Sequence, residues 1–307
     1  MSASSGIFVS DDPRALRWRG TLLTLWGVLL LCPDSLLVKE THISPEGFLF
    51  WRGALLTLAF LAIALARYRK DLPRQIQRCG WKGLFCATAF SISTTGFVVG
   101  MKYTAAGNVL VILDMAPVIA AILGYLIWRE RLPLRTWGVI MICVGGAAMM
   151  GMSETGPGHM LGLLMSFMAA FALASNLAVA RSRPEADMSV MLMFGALLTT
   201  LLATLMGGAQ WPSRSDMGYI LLLCLVFLPA ASTLIQTGPR YLPAAEVSLM
   251  LLLETVFGTL LVWLFLGEVP PTLSLVGGAI ILAALVTNSL FDLFQQRRRG
   301  RVSIPPH

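Results

Sequence analysis

Two carboxylates stand in the middle of long apolar runs, Asp114 and Glu254. A charge at the centre of a membrane-spanning helix costs about 2.5–3.5 kcal/mol on insertion scales, so such a residue turns toward a cavity or a partner. Two roles are open to this pair. They bind the amine of a substrate or take up a proton, or each meets Arg52 or a neighbouring hydroxyl and merely locks helices together. Glu246 precedes Glu254 by about 12 Å of helix and shares roughly its face.

Other polar residues accompany them. Pro33 precedes Asp34, Pro117 follows Asp114 by one turn, and Pro229 precedes Ser232 and Thr233. A proline frees the carbonyl four residues back, and in lipid that carbonyl needs another partner or a wet cavity. These prolines are expected to bend their helices, either around a midplane site or as ordinary kinks. Gln236 is assigned to the cavity because a bare amide is costly in lipid. Trp26, deeper in its run than the other tryptophans, is a candidate for stacking on a substrate. The hydroxyls of Ser91, Ser93, Thr94 and Thr95 read mainly as hydrogen bonds between helices. Glu130 and Glu268 fall at helix C-termini, where the macrodipole disfavours an acid by about 0.3–1 kcal/mol. Gating or loop bracing is one reading of them, and a solvated interfacial acid is the other. Arg129 and Arg131 flank Glu130, whereas nothing basic flanks Glu268.

The elements that must position these residues are apolar helices. Of 307 residues, 56% are hydrophobic and 13% charged, against roughly 25% charged in a soluble domain. Runs of about 20 apolar residues point to lipid as the surroundings. The expected fold is an all-α membrane protein with ten transmembrane helices, near 19–39, 45–67, 81–102, 105–128, 134–152, 159–181, 188–208, 217–240, 243–266 and 272–292. Of the 23 Lys and Arg, only Lys39, Arg52, Lys102 and Arg214 fall on one side of this arrangement. The basic side is expected to be cytoplasmic, with both termini there and a location in the bacterial inner (cytoplasmic) membrane. The N-terminus shows no signal-peptide cleavage pattern. The net charge of +7 thus reads as a topology signal and not as a nucleic-acid surface. The five cysteines form no CxxC pair, and neither a metal site nor a cofactor is expected. Enzyme signatures such as GxSxG, HExxH and the P-loop are missing from the sequence, so an enzyme is not expected.

The chain is also written twice. Gly53-Ala54-Leu55-Leu56-Thr57 returns as Gly195-Ala196-Leu197-Leu198-Thr199. Gly100, Tyr103, Ala106, Val109, Leu113, Val118 and Glu130 return as Gly238, Tyr241, Ala244, Val247, Leu251, Val256 and Glu268. In the first register Asn176 is the counterpart of Asp34. The expected organisation is a cytoplasmic tail at 1–18, a five-helix repeat at 19–152, a second at 153–293 and a basic cytoplasmic tail at 294–307. Five is odd, so the second repeat enters the bilayer from the opposite face, giving two inverted five-helix repeats.

Trp26-Gly27, Arg52, the stretch from Tyr103-Thr104-Ala105-Ala106 through Pro117 to Glu130, and its echo from Tyr241 to Gly267-Glu268 together carry a resemblance. They resemble the drug/metabolite transporter superfamily, specifically its ten-span EamA-type members. The resemblance implies a cavity lined mainly by spans one, three, four, six, eight and nine, with five and ten at the periphery. It also implies a small-molecule substrate. Where family members often have Glu-Pro in span nine, this chain has Glu254-Thr255, which puts the kink expected there in doubt.

The expected activity is secondary transport of small metabolites by alternating access, with export of amino acids or related compounds as the leading reading. The alternative is a proton-coupled uptake carrier for a vitamin or another small metabolite. Gly145-Gly146 and Gly277-Gly278 are expected as close packing surfaces, within a monomer or in a homodimer.

Overall fold

The computed structural model describes residues 13–128, 134–152, 158–181, 188–237, 242 and 244–298. Among them the chain is helical almost throughout, without a strand. In order the helices are α1 (Pro13–Leu31), α2 (Pro33–Glu40), α3 (Pro45–Tyr68), α4 (Leu72–Tyr103), α5 (Ala106–Asp114), α6 (Ala116–Trp128) and α7 (Leu134–Gly151). There follow α8 (His159–Arg181), α9 (Leu192–Leu205), α10 (Arg214–Leu222), α11 (Leu228–Thr237), α12 (Ala244–Leu266) and α13 (Thr272–Arg298).

Nine helical stretches among the described residues are long and apolar enough to cross a membrane. One of them, Pro45–Tyr103, has 59 residues, about three times what a bilayer core of roughly 30 Å requires. It is interrupted at Arg69, with φ 45°, and at Gly80, with φ 54° and ψ −149°. Only glycine adopts the latter backbone without a steric penalty. The bundle carries its large apolar side chains outward, as Leu134, Leu205, Leu264 and Phe265 show. That is the reverse of a water-soluble protein and follows from lipid being the outer solvent.

The helix pairings relate the two halves. Helix α3 packs on α9, α5 on α12, and α7 on α13. Helix α4 packs on α8, and α1 on α11. Exchanging the halves turns each of the first three pairs into itself and turns the fourth into the fifth, which is the pattern a two-fold relation produces. The α7–α13 seam is closed by the predicted glycines. A Cβ on Gly146 would lie 2.8 Å from the Gly277 carbonyl oxygen, and one on Gly277 would lie 2.6 Å from that of Gly146. Gly145, by contrast, faces open space.

Each proline singled out in the sequence stands at a break. Helix α1 ends at Leu31 and α2 restarts at Pro33. Helices α5 and α6 meet at Met115, two residues before Pro117, where Met115 N–H bonds to Ile112 O at 3.1 Å. A π-helical turn, Leu223–Phe227, separates α10 from α11 just ahead of Pro229. Such turns widen a helix by one residue and re-aim the side chains that follow.

Candidate substrate cavity

These breaks surround a cavity of about 710 Å³. Asp34 and Arg52 form part of its wall. Arg52 Nη1 and Nη2 donate to Asp34 Oδ1 and Oδ2 at 2.6 and 2.9 Å, a two-pronged pair with both residues about 95% buried. The guanidinium also lies 5.6 Å above the Phe97 ring centroid. Asp114 and Glu254 both line the cavity. Asp114 Oδ2 accepts a short hydrogen bond from Thr255 Oγ1. Glu254 lies within electrostatic reach of Asp114 and Asp34, and no ion pair or hydrogen bond engages its carboxyl among the described residues. Asn176 donates its Nδ2 to Cys86 O at 3.1 Å and is part of the cavity wall.

Arg52 is thus the partner of Asp34, and not of Asp114 or Glu254. Nor does it belong with the exposed charges of one membrane face, where the sequence count placed it. The Asp34 carboxylate stands in the first turn of α2, in direct reach of the guanidinium. Trp26 is also corrected, since it is 60% exposed and absent from the cavity wall. Gly27, next to it, is the residue that faces inward, against Ile235 of α11. Gln236 lies in α11, and its side chain is outside what the structure describes, as is Glu130 altogether. Ser93, Thr94 and Ser232 reach the cavity, whereas Ser91 bonds Thr199 between α4 and α9 at 2.9 Å.

Helices α7 and α13 do more than pack at the periphery. Thr136, Asn288, Ser289 and Asp292 line one end of the cavity, and Arg135 pairs with Asp292 there. Arg135 also lies 4.4 Å over the Phe291 ring. Polar residues at the ends of two flanking helices gave no sequence signal of an inward face. Thr255 was visible, as the residue standing where relatives have proline, but its bond to Asp114 was not.

The opposite end is shut. Lys39 Nζ meets Glu268 Oε2 at 2.5 Å and Thr104 O at 2.9 Å. Glu268 Oε1 accepts from Ala106 N–H, at the start of α5, at 2.9 Å. Lys102 donates to Thr41 O, and Thr104 Oγ1 and His159 Nδ1 are 2.8 Å apart. Glu268 therefore does not burden the end of its own helix. It follows Gly267 (φ 66°) and places its charge on the N-terminus of α5, where the dipole favours an anion. Its cation comes from Lys39, which no local reading of the sequence could supply. Glu246 sits in the first turn of α12, half-buried and off the cavity wall.

A lipid-facing helical bundle around an acidic, partly enclosed cavity is the architecture of a multi-pass membrane protein that handles small molecules. The chain belongs to the EamA-like transporter family, which it matches over residues 18–152 and again over 156–290. That family is part of the drug/metabolite transporter superfamily, and its repeated unit coincides with the internal repetition of the sequence. No curated protein matches the chain. A solved structure described only as "Crystal structure of protein" is 18% identical, with a TM-score of 0.57 over 89% of this chain and 96% of the other. At that identity the likeness is one of fold.

Proposed function

We propose that this protein is a secondary transporter that moves small amine-bearing metabolites across a bacterial cytoplasmic membrane, amino acids or related compounds first among them. The observation that carries the reading is the cavity itself. Four carboxyl residues, Asp34, Asp114, Glu254 and Asp292, line it within a bundle whose exterior is apolar. Membrane proteins keep such groups where a substrate or ion needs them.

In this reading ten spans form two inverted repeats, with both termini in the cytoplasm. The pairing of helices across the halves supports a two-fold relation, and an odd number of spans per half makes it an inversion. The Lys39–Glu268 end faces outward and is closed in this conformation, while the Arg135–Asp292 end faces the cytoplasm. Alternating access exchanges these two states by rocking one repeat against the other around the central acids. Among the described residues Glu254 has no cation beside it, which suits proton coupling in either direction of transport.

Flux into and out of proteoliposomes containing the purified protein tests the proposal. Solute movement above that of empty vesicles, reduced at least tenfold by Glu254→Gln at equal reconstitution, is the expected outcome. Equal flux in protein-containing and empty vesicles across a panel of amino acids, amines and vitamins refutes it.

A further inference from the structure

We infer that the group this cavity recognises is a protonated amine, and that a carboxylate on the ligand contributes nothing to binding. The inference rests on the reading of the cavity as the substrate site. It follows from which hydrogen-bonding groups the protein leaves open.

The charged side chains that could donate are paired with acids of the cavity itself. Both terminal nitrogens of Arg52 bond Asp34. Arg135 Nη2 bonds Asp292. The Asn176 amide nitrogen bonds Cys86 O, and the Thr255 hydroxyl bonds Asp114. Arg52 Nε and Arg135 Nε and Nη1 have no partner among the described residues, but they are themselves buried and out of a ligand's reach. Apart from the wall hydroxyls, what remains open chiefly accepts hydrogen bonds. Both carboxyl oxygens of Glu254, the second oxygen of Asp114 and the Asn176 carbonyl oxygen have no donor among the described residues.

The charge balance agrees. Two of the four wall carboxylates have arginine partners, and among the described residues Asp114 and Glu254 have none. Ionic attraction strengthens as the surroundings lose water, so a cation is drawn to these two acids. A ligand carboxylate would instead add negative charge with no open cation to meet it. Hydroxyls such as Ser93 and Ser232 can donate to it, but a neutral donor does not offset a buried charge. An acceptor-lined site rejects a ligand without donors, because its own polar groups are then left unpaired.

The test uses purified full-length protein in detergent and two matched sets of probes. One set is phenylalanine, phenethylamine, N-acetylphenethylamine and 3-phenylpropionate, a carboxylate without an amine; the other is lysine, cadaverine and N,N′-diacetylcadaverine. Binding is read from thermal stabilisation, since a ligand that prefers the folded state raises apparent stability. The decarboxylated amine of at least one set is expected to bind as tightly as its parent amino acid. N-acetylphenethylamine and 3-phenylpropionate are expected to bind at least tenfold more weakly than phenethylamine. Glu254→Gln should weaken amine binding at least tenfold, and Glu254→Asp should recover most of it, which separates lost charge from lost fold.

Tighter binding of both amino acids than of their amines overturns the inference, because it assigns the carboxylate a role. So does binding of N-acetylphenethylamine or 3-phenylpropionate equal to that of phenethylamine. Failure of both amines to stabilise the protein overturns it as well. In each case flux of some other solute in proteoliposomes leaves the transporter reading standing, whereas absence of any flux sinks that reading separately.

Discussion

Asp34 and Arg52 form a buried ion pair whose two hydrogen bonds replace the water both groups lose. Removing one partner leaves the other charged and unmet. Asp34→Asn is therefore expected to cost about 3–5 kcal/mol in chemical unfolding of the purified protein. Asp34→Leu combined with Arg52→Met should cost much less, since it leaves no orphan charge. Thr255 is a smaller case of the same logic. Thr255→Val takes the donor from Asp114 Oδ2 and should cost about 1–3 kcal/mol, with Thr255→Ser close to wild type. A Thr255→Val protein as stable as wild type would show that the cavity, and not this hydroxyl, satisfies Asp114.

At the scale of the helix, the interruptions are as informative as the helices. Three of the spans that bring polar residues to the cavity are broken beside it: at Cys32–Pro33, at Met115 and in the π-turn at Leu223–Phe227. Span nine shows no such break. Helix α12 runs unbroken from Ala244 to Leu266 through Glu254-Thr255, in keeping with the missing proline. The seam between α7 and α13 depends on having no side chain at Gly146. Gly146→Leu would drive its Cβ into the Gly277 carbonyl and Ile281. The expected result is a loss of at least about 1–3 kcal/mol, together with weaker substrate binding, because Thr136 and Asn288 on the same two helices line the cavity. Unaltered melting and binding would show that these helices are free to part.

For the molecule as a whole, the two ends differ. Contacts from Lys39, Thr104, Ala106 and Glu268 close one end with residues far apart in sequence, while the cavity extends to Asp292 at the other. Glu268→Gln removes the charge that both Lys39 and the α5 N-terminus use. It should shift the population toward the state open at that end. With a single cysteine at position 113, on the cavity wall, in an otherwise cysteine-free protein, an impermeant thiol reagent added from the Lys39 side should label about tenfold faster, corresponding to about 1.4 kcal/mol. An unchanged labelling rate would show that the pair braces loops without holding the conformation.

The sequence by itself determined that the chain is a helical, lipid-facing protein made of two related halves, because apolar runs and repetition are local properties written residue by residue. It also determined that Asp34, Asp114, Glu254 and Asn176 are too polar for lipid, and that Pro33, Pro117 and Pro229 interrupt their helices. Only the tertiary structure decided which acid meets Arg52, that Lys39 answers Glu268, that Trp26 stays outside the cavity, and that α7 and α13 help to line it. A partner 229 residues away leaves no trace in the local pattern, since the packing of helices, and not their composition, decides which polar groups share one enclosed space.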